Sequence, residues 1–199
     1  MDLRNALFLY IIIIFSAIVH EYAHAWAAWR QGDLTAKYAG RLTLNPMAHI
    51  DWWGTVLMPL MLLYFFGAFF GYAKPVPINP YNFKDQRRGI IWVSAAGVGA
   101  NFAIAVLLGL VIRFLPNFFL NPFLSLIVMI NIWLGLFNLL PFPPLDGSKL
   151  LMALANVKES RYARVIEVLS SPVGILVAIF VAMTFLPYVS NFIFRLIVG

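Results

Sequence analysis

The sequence predicts an all-α polytopic membrane protein, with one domain over residues 1–199. Of its residues, 62% are hydrophobic and only 11% are charged, whereas soluble domains carry about 25% charged residues. Four apolar stretches, 7–29, 54–72, 89–115 and 122–140, are long enough to cross a bilayer, which takes ~20 helical residues. A fifth, 172–198, contains Pro187 and is expected to form one kinked helix or a helix plus a cap. About four to five spanning helices are therefore expected.

Composition also limits the function. The chain has no cysteine, which excludes disulfides, thiolate metal ligands and a cysteine nucleophile. The net charge of +6 comes from 14 Lys and Arg residues scattered among short loops. That distribution fits contact with the anionic headgroups of a lipid bilayer and predicts no nucleic-acid partner. The first apolar run is too long for the core of a cleavable signal peptide.

The first apolar stretch contains the sequence His20-Glu21-Tyr22-Ala23-His24. Two histidines at i and i+4 share one face of a helix, and a glutamate between them suits a zinc site with its own general base. A charged side chain at the centre of a spanning helix costs ~2.5–3.5 kcal/mol. We therefore expect these residues to have a partner or a function.

A hydrolytic zinc site uses three protein ligands and a water. Asp146 is the best-placed third ligand, because the prolines before it break the helix and Gly147 allows close approach of the backbone. We predict that His20, His24 and Asp146 hold one Zn²⁺ per chain, with Glu21 as the base that deprotonates the attacking water. The ligand chemistry leaves Fe, Co or Mn open. The other acidic residues are expected to be solvated charges in loops or at interfaces: Asp2, Asp33, Asp51, Asp85, Glu159 and Glu167.

The predicted ligands bear on the topology. If residues 54–72 span the membrane, the end of the first helix and the Asp146 segment face opposite sides. If 54–72 enters and returns as a re-entrant segment, both lie on one side, together with most of the Lys and Arg residues. The positive-inside rule then puts the site toward the cytoplasm. A small polar β-hairpin is predicted at about 38–46, and a connector with a short amphipathic helix at 146–167.

Three elements in this order resemble the site-2 protease family of intramembrane zinc metalloproteases. They are His20-Glu21-x-x-His24, Gly97-Val98-Gly99-Ala100-Asn101, and Asn138…Pro141…Pro144-Leu145-Asp146-Gly147. The resemblance covers roughly residues 7–155 and points to compact members without a PDZ or CBS domain. It implies metal ligation by His20, His24 and Asp146 and catalysis by Glu21. Ser148 stands where many members have a second glycine, and Val98 where a proline is common.

The resemblance also implies roles for two asparagines. Asn101 would contact the substrate or the oxyanion, and Asn138 would bind the substrate backbone. The residues themselves equally allow an interhelical hydrogen bond for Asn101 and a helix-end cap for Asn138. His49 is expected to be an interfacial loop histidine and not a ligand.

The predicted function is zinc-dependent endopeptidase activity within the plasma membrane, on the transmembrane segments of single-pass proteins and near the cytoplasmic side. An edge strand near 38–44 would receive the unwound substrate by β-addition. Two alternatives stay open. A metal-ion transporter would need further ligands across the spans, and an inactive helix-binding scaffold would have no use for Glu21. The sequence leaves the natural substrate, the trigger and the oligomeric state open, including a homo-oligomer.

Overall fold

The computed structural model describes residues 3–66, 73–155, 167–169 and 171–199. The helices in these ranges are α1 (Leu3–Gln31), α2 (Thr35–Tyr38), α3 (Met58–Phe66), α4 (Gln86–Phe114), α5 (Asn121–Leu139), α6 (Asp146–Ala155) and α7 (Pro172–Val198). Short 3₁₀ turns lie at Pro46–Ala48 and Pro80–Asn82, and a π-helical turn at Trp52–Leu57 precedes α3.

Within the described ranges, four helices are long and apolar enough to cross a membrane. They cover Ala6–Gln31, Gln86–Phe114, Asn121–Leu139 and Leu176–Val198. This confirms the α-helical polytopic class. Of the two forms expected for the last apolar region, the structure has one continuous helix with Pro187 inside it. The expected helix after Asp146 is α6, and residues 156–166 of the connector lie outside the described residues.

The β-hairpin predicted at 38–46 is wrong, and no part of that stretch is a β-strand. Helix α2 ends in a Schellman motif, with Gly40 in the left-handed region at φ 68°. Its closing bonds run from Arg41 N–H to the Ala36 carbonyl, at 2.8 Å, and from Gly40 N–H to the Lys37 carbonyl, at 3.0 Å. These local bonds use the backbone groups that a strand ladder would need, so β-addition of a substrate at this place is not supported.

The two ends of the apolar segment between residues 50 and 73 lie next to each other. Lys74 N–H donates to the His49 carbonyl at 2.9 Å, so the two ends of the segment lie side by side. Its described part consists of the π-helical turn and α3, and residues 67–72 lie outside the described residues. Adjacent ends are the geometry that a re-entrant segment requires.

A few contacts show which ends of the long helices lie side by side. Lys84 N–H donates to the Gln31 carbonyl at 3.0 Å, so α4 starts beside the end of α1 and runs antiparallel to it. Phe8 and Phe123 meet edge to face at 5.3 Å between ring centres, so α5 starts beside the start of α1 and runs parallel to it. The end of α1, the start of α4 and the end of α5 therefore share one end of the bundle.

Helix α4 lies at the centre of the bundle and packs against α1, α5, α6 and α7. Between α4, α5 and α7 lies an apolar core built around Ala105, Ile112, Val128 and Ile132. Near the other end of the helix, α4 packs on α1 through an apolar cluster that contains Ala28, Phe83 and Val93. This packing fixes α1 and α4 against each other along the part of α1 that carries the two predicted histidine ligands.

Candidate metal centre

The two histidines of α1 face α4 from consecutive helical turns. His20 and His24 are 6% and 5% exposed, and their Nε2 atoms lie 2.9 Å apart. The i and i+4 spacing places both rings on one helical face, as the sequence predicts. Two nitrogen atoms suited to metal ligation therefore converge in the interior of the bundle.

The third predicted ligand joins them from α6. Asp146 Oδ2 lies 3.1 Å from His20 Nε2 and 2.9 Å from His24 Nε2. A Cβ atom at Gly147 would collide with the Leu139 carbonyl at the end of α5, so the tight return that starts α6 needs glycine there. The structure thus brings together His20, His24 and Asp146, and among the described residues this is the cluster of ligand atoms close enough to hold a metal ion.

The hydrogen-bond partners of the two rings support a cation at this point. His20 Nδ1 lies 2.6 Å from Asn101 Oδ1, and His24 Nδ1 lies 2.7 Å from the Val93 carbonyl. Both neighbours are oxygen acceptors, so each neutral ring carries its proton on Nδ1 and points an Nε2 lone pair inward. Two lone pairs and a carboxylate oxygen within 3.1 Å repel one another unless a positive charge lies between them. The residues present therefore fit a divalent metal with two nitrogen ligands and one oxygen ligand.

Gly97 makes room for this cluster on α4. A Cβ atom at this position would lie 2.5 Å from His24 Nε2 and 2.6 Å from His20 Nε2. Real Cβ atoms do not approach so closely, so any larger side chain must displace the rings. The glycine of the Gly-x-x-x-Asn element thus has a steric role that the sequence alone did not identify.

A chain of buried amides supports His20. Asn101 is fully buried, and its Nδ2 donates to Asn131 Oδ1 at 2.9 Å. Asn131 in turn donates to Ser16 Oγ on α1 at 3.0 Å. Asn101 thus contacts Nδ1 of His20, a candidate metal ligand, and links α4 to α5 through its hydrogen bond to Asn131. Sequence analysis missed Asn131 and Ser16, although a buried amide in an apolar span is a recognisable signal.

Glu21 faces a cleft next to the cluster. Its Oε2 accepts a hydrogen bond from Val76 N–H at 2.8 Å. The cleft has a volume of ≈ 580 Å³, and its lining includes both histidines, Glu21 and Asp146. Asn138 also lines it, and its Nδ2 donates to the Leu134 carbonyl of the preceding helical turn at 3.0 Å.

Two further charged side chains have partners in the structure. Lys149 Nζ lies 3.2 Å from Asp146 Oδ1, one helical turn along α6. The prediction that Asp33 is a solvated charge is wrong, because this side chain is completely buried. Burial opposes its ionisation, yet hydrogen bonds from Thr35, Asn82 and Asn79 outweigh this and lower its pKa below the usual range.

His49 takes no part in the cluster. It lies in a loop, as expected, but is 1% exposed, and its Nε2 is 2.8 Å from the Thr43 carbonyl. Its carbonyl accepts from Lys74. The structure therefore assigns His49 to the junction at which the 50–73 segment returns.

The comparisons with known proteins agree with this geometry. The family model for peptidase family M50 matches residues 115–181. YwhC of Bacillus subtilis is 39% identical over 155 aligned positions, and the match covers 72% of this chain and 67% of YwhC. Rip2 of Mycolicibacterium smegmatis is 29% identical over 175 aligned positions, and the match covers 80% of this chain and 65% of Rip2.

A more distant relative, MJ0392 of Methanocaldococcus jannaschii, is 25% identical over 160 residues, 78% of this chain and 38% of that protein. All three relatives carry the words zinc metalloprotease in their names. The chain thus spans about two thirds of the first two relatives and a smaller part of the third. No solved structure matches the chain significantly. The chain belongs to peptidase family M50, the site-2 protease family, and is a metalloprotease.

Proposed function

We propose that this protein is a zinc-dependent endopeptidase that cleaves transmembrane segments of single-pass membrane proteins. The observation that carries the proposal is the convergence of His20, His24 and Asp146 beside Glu21 in a cleft among apolar helices. His20, His24 and Asp146 would hold the zinc ion. When bound, the ion supplies a Lewis acid that polarises the scissile carbonyl and acidifies water.

The chain's own residues account for the proton transfers. Glu21 is positioned by α1 one residue from His20, and Oε2 is held by Val76 N–H at 2.8 Å. This leaves Oε1 to take a proton from the attacking water and to pass it to the departing amine. Asn138 and Lys149 line the same cleft, and Asn138 is the residue that we propose contacts the substrate backbone.

An apolar groove supports access from the lipid. A second cavity of ≈ 620 Å³ reaches His20 and Glu21 and is lined mainly by apolar side chains, including Ile13 of α1 and Met129, Trp133 and Phe137 of α5. A transmembrane segment that unwinds locally would find apolar walls outside and polar ligands at the inner end. Such a gradient suits a substrate that arrives from the bilayer and presents a peptide bond.

The adjacent ends of the 50–73 segment support a proposal for the side of the membrane that the site faces. If this segment re-enters, the end of α1, the start of α4 and the Asp146 turn face one side with most of the Lys and Arg residues. The positive-inside rule then favours cleavage near the cytoplasmic face of the plasma membrane.

The test is Glu21→Gln in proteoliposomes, with a tagged single-pass peptide whose span of about 20 apolar residues contains a helix-breaking pair. We expect the variant to keep one zinc per chain and to lose at least ~100-fold in cleavage rate, because general-base catalysis contributes about 10²–10⁴-fold. Glu167→Gln makes the same change at an exposed glutamate and should cleave as wild type does. Full activity of Glu21→Gln would refute the proposed role of Glu21.

A further inference from the structure

An extended peptide lies beside the candidate base. Residues 74–79, here called the strap, have no regular secondary structure and line the cleft through Pro75, Val76 and Ile78. Three backbone N–H groups of the strap donate to fixed acceptors: Lys74 to the His49 carbonyl at 2.9 Å, Val76 to Glu21 Oε2 at 2.8 Å, and Asn79 to Asp33 Oδ2 at 2.8 Å. The strap is thus held at both ends and touches Glu21 between them.

Asp33 is fixed to the same helix that carries Glu21. Helix α1 closes with a Schellman motif at Gly32, whose φ is 107°. Gly32 N–H donates to the Trp29 carbonyl at 3.1 Å, and Asp33 N–H donates to the Ala28 carbonyl at 3.0 Å. The carboxylate of Asp33 is therefore held in a defined position relative to Glu21.

The carboxylate of Asp33 accepts four hydrogen bonds. Besides Asn79, it accepts from Asn82 Nδ2 at 2.8 Å, from Thr35 N–H at 3.1 Å and from Thr35 Oγ1 at 2.5 Å. It is completely buried, and these bonds keep its pKa below the usual range, so it is ionised at neutral pH. Hydrogen bonds to a charged acceptor are about twice as strong as neutral ones. The Asn79 end of the strap is therefore anchored to a buried charge.

The strap forms a wall of the cleft and leaves it open. The side chain of Val76 is 8% exposed and packs with Ala25 of α1 and Ala36 of α2. The cleft beside it keeps a volume of ≈ 580 Å³. Pro75 and Pro77 restrict the backbone on either side of Val76. This geometry presents one N–H group to Glu21 without filling the space that a substrate needs.

We infer that Asp33 is a positioning residue for the reaction, which acts through the strap. It fixes Asn79, the strap then places Val76 N–H on Glu21 Oε2, and this contact sets the orientation of the carboxylate. The inference rests on the proposed role of Glu21 as the base. Holding a catalytic group in its reactive orientation is worth a large part of a rate enhancement, and a small misplacement can cost about 10²-fold.

The first experiment reads the strap without any cleavage assay. The chain has no cysteine, so Val76→Cys introduces a single thiol at a buried position, and its maleimide labelling rate in proteoliposomes reports release of the strap. We expect Asp33→Asn to speed this labelling at least ~10-fold and to leave one zinc per chain. The matched control is Asp85→Asn, since the Asp85 carboxylate accepts from Arg88 N–H at 2.9 Å at the start of α4. It should leave the labelling rate unchanged.

The second experiment removes the N–H group itself. Val76→Pro deletes the donor to Glu21, whereas Val76→Ala keeps the donor and removes only side-chain packing. On the same peptide substrate, we expect Val76→Pro and Asp33→Asn each to lower kcat about 10–100-fold, with KM changed less than ~3-fold. Val76→Ala should keep kcat within ~3-fold of wild type. The kcat of the double variant Asp33→Asn/Val76→Pro should be no lower than that of the slower single variant. The reason is that both substitutions interrupt the same series of contacts from Asp33 through the strap to Glu21.

The outcomes separate this inference from the proposed function. If Glu21→Gln abolishes cleavage but Asp33→Asn changes neither labelling nor kcat, the inference is overturned and the protease mechanism stands. A rise in activity, or a change confined to KM, also overturns it, since the strap would then be a cover or a substrate wall. If Glu21→Gln cleaves normally, both fail. Should Asp33→Asn not fold, Asn79→Pro, which deletes the N–H group that donates to Asp33 Oδ2, takes its place in both experiments.

Discussion

His20 Nδ1 lies 2.6 Å from Asn101 Oδ1, so a histidine of α1 and an amide of α4 hold each other in the interior of the bundle. The amide cannot rotate freely, because its Nδ2 is bound to Asn131 of α5. Side chains behind a metal ligand fix its ring orientation and tautomer. The direction of the His20 lone pair is thus set by contacts across three helices.

Asn101→Leu should weaken zinc binding about 10–100-fold, the usual cost of losing such a supporting contact. The reason is that His20 Nδ1–H loses its acceptor in an apolar interior. Zinc affinity is measured by competition with a chromogenic chelator. Asn191→Leu makes the same change on α7, where the side chain donates to the Pro187 carbonyl one turn back, and it should bind zinc normally. Wild-type affinity in Asn101→Leu would contradict the assigned role.

Gly97→Ala should displace the imidazole rings and remove most of the bound zinc, because the new Cβ would lie 2.5 Å from His24 Nε2. Metal content of the purified protein gives the answer. Gly99→Ala is the matched control on the same helix, since a Cβ there meets nothing within 4 Å. If both variants keep one zinc per chain, the close approach of α4 to the histidines is not a constraint.

Removal of zinc should lower the thermal stability of the protein. Without a cation, two nitrogen lone pairs and the Asp146 carboxylate face one another within 3.1 Å. Ligand linkage predicts ~4 kcal/mol of stabilisation at a free zinc concentration 1,000-fold above Kd. Tryptophan fluorescence during heating, with and without a chelator, measures the change. Asp146→Ala should melt at one temperature in both conditions, and an equal response to the chelator in that variant would argue for a different metal site.

The acid sensitivity of the protein should depend on Asp33. Its pKa is lowered in the folded state, below the unfolded value of ~3.9. A group of this kind contributes stability that is fully present above the unfolded pKa and is lost as pH falls toward the folded pKa. The stability difference between wild type and Asp33→Asn should therefore be constant above about pH 5 and shrink below about pH 4.

Equilibrium unfolding followed by tryptophan fluorescence across this range measures the difference. Thr35→Val removes the 2.5 Å hydroxyl bond to Asp33 and keeps the Thr35 N–H group available. It should therefore reduce the pH dependence without abolishing it. A wild-type curve that stays parallel to that of Asp33→Asn at every pH would show that the Asp33 bonds do not favour its charged form.

Local signals were sufficient to predict the membrane class and to select the three candidate ligands that the structure brings together. Hydrophobic length identified α1, α4, α5 and α7, since a spanning helix must satisfy its own backbone bonds. Helical periodicity put His20 and His24 on one face, and the proline-rich turn with Gly147 singled out Asp146. Each of these inferences needs only neighbouring residues.

The hairpin prediction failed for a local reason. The sequence around Gly40 suits a strand turn, but it equally suits the end of a short helix, and the Arg41 N–H bond to Ala36 selected the helix. The prediction that Asp33 is solvated is wrong because the residues that bury it are distant in the sequence. Its partners Asn79 and Asn82 lie 46 and 49 positions away along the chain, and no local pattern reports such a pairing.

The sequence by itself determined which residues are chemically able to bind a metal and to move a proton. Hydrophobicity and helical spacing act over a few residues, and both can be read from neighbouring positions. Only the tertiary structure decided that Asp146 reaches the histidine pair, that Asn101 and Asn131 orient it, and that Asp33 anchors a strap against Glu21. Those relationships depend on how α1, α4 and α5 pack, because packing brings together atoms that the chain keeps far apart.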